Sequence, residues 1–155
     1  MKKFHFSLSH VREYKNRLFE EEMGKLHQLR AQENEIEQRI ENLSRNFQSI
    51  SKRMMSAQRA GTTVFEIRSF SMQLENIRQQ IKDLRQRLLI VQKQIEEQMQ
   101  VVVAANQEVS KLDKLEEKQL EEYRRQVNKA EEDRIDEFVS QALPGAARLN
   151  GVLVS

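Results

Sequence analysis

Two runs of apolar residues, each stepping by three and four, constrain this chain more than anything else in it. After Gly61 the run is Ile67, Phe70, Leu74, Ile77, Ile81, Leu84, Leu88, Val91 and Ile95, then Val102, Ala105, Val109 and Leu112, with the polar Gln98 as its interruption. Before Gly61 it is Leu26, Leu29, Glu33, Ile36, Ile40, Leu43, Phe47, Ile50 and Met54. Such alternation keeps one helix face turned toward a partner over many turns, the pattern of a coiled coil. Both seams need a partner, and each is available to the other.

The stretch "SAQRAGTTVFEIRSF", Ser56 to Phe70, is where the helical pattern breaks. Gly61 accepts the positive φ that ends a helix, and Thr63 with Glu66 three residues on is a capping box that starts the next. With so short a connection the helices fold back antiparallel. The expected fold is therefore all-α, a long two-helix antiparallel coiled-coil hairpin whose second helix is longer than its first. Its expected bounds are helix 1 over about 7–57, a turn over about 58–63 and helix 2 over about 63–141, with residues 1–142 forming a single unit. Leu143, Pro144 and Gly145 stop the second helix, and residues 143–155 read as a flexible tail.

Fold-back at equal rise pairs residues whose numbers sum to about 120. Met54 then faces Ile67, and Phe47 lies beside Gln73 and Leu74. At the edges Arg53 meets Glu66 and Glu37 meets Arg85. Glu22 falls opposite Gln98 with Gly24 alongside, either as a weakened polar layer or with the Gln98 amide turned to solvent.

At the other end of the hairpin, Ser7 is the expected cap of helix 1, with Phe6 packing on Val11 as a hydrophobic staple. From Leu8 to Leu26 the apolar residues Val11, Leu18, Phe19 and Met23 keep no strict heptad phase. Fold-back places Leu8 near Leu112. Residues 113–141 then have no helix of this chain to cover them, and Leu120, Tyr123 and Val127 are expected to form a bare apolar stripe.

Composition narrows the function classes. With 4 Gly, 1 Pro and 32% charged residues, the chain suits long helices with solvated faces rather than a thick core. A net charge of +2, with both signs mixed throughout, gives no field that would favour nucleic acid. The absence of cysteine fits a reducing compartment, and a soluble, cytoplasmic protein with no direct membrane insertion is expected. No phosphate loop, dinucleotide fingerprint, nucleophile elbow or zinc-protease motif occurs, and a two-helix hairpin has no concave interior for catalysis. His5, His10 and His27 have no metal-ligand spacing. No enzyme activity, metal or cofactor is expected. An interaction protein remains, as a spacer, a holding chaperone or an axle held inside a ring.

Both ends of the chain carry a resemblance. "KKFHFSLSHVREYKNRLFEEE" resembles the N-terminus of the FliJ family of flagellar type III export proteins. "KLEEKQLEEYRRQVNKAEEDRIDEFVSQA" is similar to that family's C-terminal helix, including Asp136 to Phe138. Injectisome relatives share similar patterns. The resemblance implies a coiled coil like the central stalk of rotary ATPases, whose terminal end enters a hexameric export ATPase and promotes ring assembly and export. It also implies contacts with the cytoplasmic domain of the export gate and with export chaperones, at the cytoplasmic face of the inner membrane. Carried onto this chain, the ring-facing residues are Phe4, Phe6, Leu8, Val11, Leu120, Tyr123 and Val127. The gate-facing residues are Phe70 and Leu74, with Leu43 and Ile50 on the facing helix, all at seam positions where core packing alone also accounts for them.

Overall fold

The computed structural model describes the backbone of residues 2–154 and the side chains of residues 2–143. It contains two helices, α1 (Ser9–Ala60) and α2 (Val64–Val154), of 52 and 91 residues. The helix α2 is assigned past Gln141, where the sequence placed its end, and the expected tail of 143–155 lies almost wholly outside the described side chains. Packing divides the chain into a hairpin unit, Asn16–Asn106, and a terminal unit, Met1–Lys15 with Gln107–Ser155.

In the hairpin unit every residue of both predicted seams is buried or half-buried. Leu26, Ile36, Leu84, Val91, Ile95 and Val102 form the buried cluster, flanked by Phe19, Met23, Leu29, Ile40, Leu43 and Leu88. No described side chain is fully enclosed, because two helices offer each other only one face. The run "LLIV" shows how sharply the period sorts neighbours. Leu88 and Val91 point inward, while Leu89 and Ile90 are 67% and 60% exposed.

The turn is tighter than expected. The helix α1 continues to Ala60, leaving only Gly61, Thr62 and Thr63 as the connection. Gly61 has φ +91°, the left-handed conformation that closes a helix. Thr63 caps α2: its Oγ1 accepts the Glu66 N–H at 3.3 Å, and its carbonyl accepts the Ile67 N–H at 3.2 Å. The return arm of the expected box is replaced. The Glu66 carboxylate accepts a hydrogen bond from the Thr62 hydroxyl instead. Glu66 is thus engaged at its own helix start, and neither Arg53–Glu66 nor Glu37–Arg85 occurs among the ion pairs of the described residues.

Glu22 and Gln98 do meet across the seam. The Gln98 amide donates to the Glu22 carboxylate at 2.6 Å and to the Glu22 backbone carbonyl at 3.0 Å, so the polar layer forms and the solvent-facing alternative falls away. The Gln98 hydrogen bond, and secondarily Lys25, holds the Glu22 carboxyl below the usual glutamate value. A lowered folded-state pKa adds stability above the ordinary carboxylate range, and this is lost as pH falls through the lowered value. Gln98→Leu is therefore expected to narrow the drop in melting temperature between about pH 7 and about pH 3. Thermal melts of both proteins at the two pH values check this; an unchanged gap would mean that the pair does not contribute.

Two glycines are expected to respond with opposite signs. Gly24 lies exposed inside α1, and a Cβ there would meet nothing within 4 Å, so Gly24→Ala should stabilise by roughly 0.5–1 kcal/mol. A Cβ at Gly61 meets nothing either, yet its positive φ makes Gly61→Ala cost about 1–2 kcal/mol. Denaturant melts of the two variants measure both.

Candidate interaction site

In the terminal unit α1 does not begin where the sequence placed it. Ser7 and Leu8 form a turn closed by the Ser9 N–H to the Phe6 carbonyl at 3.2 Å. The Arg12 N–H reaches the Leu8 carbonyl at 2.9 Å, so Leu8 rather than Ser7 sits at the start of the helical ladder. The staple is also absent. Phe6 is 4% exposed and Val11 is 42% exposed, on different faces, and the partner of Phe6 is the Arg12 guanidinium, 5.6 Å from its ring centre. Arg12 also pairs with Glu116 and approaches Asp113 at 3.8 Å, which ties the first turn of α1 to α2.

Residues 2–6 form no helix and run along α2 beyond the start of α1. The Phe4 and Tyr123 rings lie 5.6 Å apart at 48°, and the Tyr123 hydroxyl donates to the Lys2 carbonyl at 2.5 Å. The stripe expected to be bare is therefore covered at Tyr123, and Leu120 and Val127 are half-buried as well. Reach explains the difference. Extended chain advances about 3.3 Å per residue against 1.5 Å in a helix, so a short non-helical lead covers roughly twice the length that fold-back of a helix allows.

Of the seven residues assigned to a ring contact, Phe4 and Tyr123 pack on each other, and Phe6 is buried beside Arg12. Leu8, Leu120 and Val127 are half-buried, and Val11 is exposed. Leu120 also edges a shallow charged groove with Lys114, Glu117, Lys118, Glu121 and Arg124.

The bare surface lies further along α2. Every described residue from 128 to 143 is exposed, and Ile135, Phe138 and Val139 are 61%, 71% and 42% exposed. Their spacing of i, i+3 and i+4 puts them on one helix face. Acidic residues surround them in "EEDRIDEF". The sequence placed these residues in the uncovered segment, but the choice of Leu120, Tyr123 and Val127 overlooked how far the N-terminus extends.

In the hairpin unit the four gate-assigned residues, Leu43, Ile50, Phe70 and Leu74, are half-buried in the seam. Beside them runs a groove lined by Phe47, Ile81 and the exposed Leu89 together with Arg78, Lys82 and Arg85; Arg78 sits 5.3 Å from the Phe47 ring centre. Among the described residues no helix is long and apolar enough to cross a membrane.

A family model described as "Flagellar FliJ protein" matches residues 4–148. Neither the curated proteins nor the solved structures yield a match.

Proposed function

The chain belongs to the FliJ family of flagellar proteins and is a component of the flagellar export apparatus, and from this we infer that it acts as a non-catalytic stalk for the hexameric export ATPase. Its terminal end enters the ring and promotes ring assembly, while the hairpin half carries contacts to the cytoplasmic domain of the export gate. Export chaperones are further partners. The protein works in the cytoplasm, held peripherally at the inner membrane through these partners.

The observation that supports this reading most is the run of exposed residues at 128–143. There α2 carries Ile135, Phe138 and Val139 on one face among charges of both signs. A few apolar anchors in a polar, charged rim are what a specific but reversible protein contact uses. The half-buried gate residues keep exposed edges next to the cationic groove, so a partner approaching there meets both.

The test is to mix the chain with purified flagellar export ATPase from the same cell and record hexamer formation and ATP turnover. Both should rise together with added chain. Turnover and oligomeric state that stay flat at saturating chain would end the stalk reading.

A further inference from the structure

We propose that residues 2–6 are a displaceable strap over a docking surface centred on Tyr123 and flanked by Leu120 and Val127. The occupant that replaces them is an extended partner segment carrying an aromatic side chain. The proposal rests on the stalk reading for the identity of that partner, a segment of the ATPase ring, but the surface itself is a property of this chain.

The strap is anchored unequally. At its helix-proximal end Phe6 is 4% exposed and lies under Arg12, which is held in turn by Glu116 and Asp113. At its distal end the contacts seen are the Phe4–Tyr123 ring contact and the exposed hydrogen bond from Tyr123 to the Lys2 carbonyl. An exposed hydrogen bond exchanges readily with water, and opening from a chain end requires no other element to move. The distal half therefore peels away while Phe6 stays seated. Peeling leaves a half-apolar helix face with a free phenol: Tyr123 flanked by Leu120 three residues before and Val127 four residues after.

The strap also shows which chemistry fits this face. Residues 2–6 satisfy it with an aromatic ring against Tyr123 and a backbone carbonyl for its hydroxyl, both offered by non-helical chain. A partner segment of the same kind makes the same contacts. While the strap is closed, the apparent affinity for that partner is reduced by the fraction of molecules in which the strap is open.

Phe4→Ala in the full chain tests this, since it weakens the distal contact and leaves the Phe6 anchor intact. Two readouts are needed. A synthetic peptide of residues 2–8 is titrated into wild type and variant while the Tyr123 ring signals are followed by NMR, with Tyr14 as the internal reference. Saturable movement of Tyr123 in the variant, at a several-fold lower peptide concentration than in wild type, is the expected result. Affinity for the export ATPase should also rise, by about threefold or more if the strap is closed most of the time. Tyr123 signals that stay still in both proteins would overturn the strap, as would a fall in ATPase affinity, which would make Phe4 itself the contact. If the ATPase binds neither protein, the stalk reading fails, and the peptide titration still decides the strap.

Discussion

Leu84→Asp is expected to lower the stability of the hairpin by about 4 kcal/mol, roughly 2 from lost apolar burial and the remainder from a carboxylate placed in an apolar seam. Leu84 is 7% exposed and belongs to the buried cluster with Ile36 and Val91. For a chain of this length such a loss lowers the melting midpoint by about 10 °C. Leu89→Asp, only five residues on but 67% exposed, should change stability by less than about 0.5 kcal/mol. Circular dichroism melts of the two variants side by side check the register as well as the fold. Similar melts would mean that the heptad phase assigned to α2 is wrong.

The second large effect is on function. Ile135→Asp combined with Phe138→Asp should abolish the stimulation of ATP turnover by this chain, because both side chains are exposed anchors on one face of the uncovered part of α2. Exposed interface anchors of this type cost about 2 kcal/mol or more each when removed, so the pair should weaken binding by a factor of several hundred or more. Stability should be unaffected, since neither residue is packed. The contrasting variant is Leu120→Asp with Tyr123→Ala, which also disturbs the contacts of Tyr123 with Phe4 and Lys2. Stimulation retained by the Ile135 and Phe138 variant but lost in the Leu120 and Tyr123 variant would leave the surface under the strap as the ring contact and remove the exposed Ile135 and Phe138 face from it.

The hairpin unit was legible because its seams are written in apolar residues at strict three and four spacing, and a single positive-φ glycine marks the reversal. The terminal unit was harder for a physical reason. The covered positions of α1 continue the same alternation backward through Glu22, Phe19, Lys15, Arg12 and Leu8, but most are charged. On α2 the phase likewise continues through Glu116 and Gln119 to Tyr123. Counting apolar residues misses a seam closed by an ion pair such as Arg12 with Glu116. Local capping rules failed here too, since the expected contact between Phe6 and Val11 gave way to Phe6 under Arg12. The Gln98 layer was half legible: its position followed from the register, whereas its partners depended on side-chain conformations that spacing does not specify.

An axle and a self-assembling spacer make different demands on stoichiometry, and native mass spectrometry of the chain with the assembled export ATPase separates them most directly. The stalk account predicts a monomer in isolation and one chain bound per six ATPase subunits, whatever the excess of chain. A complex with one chain on every ATPase subunit, or a chain that only self-associates and leaves the ring unoccupied, would contradict it.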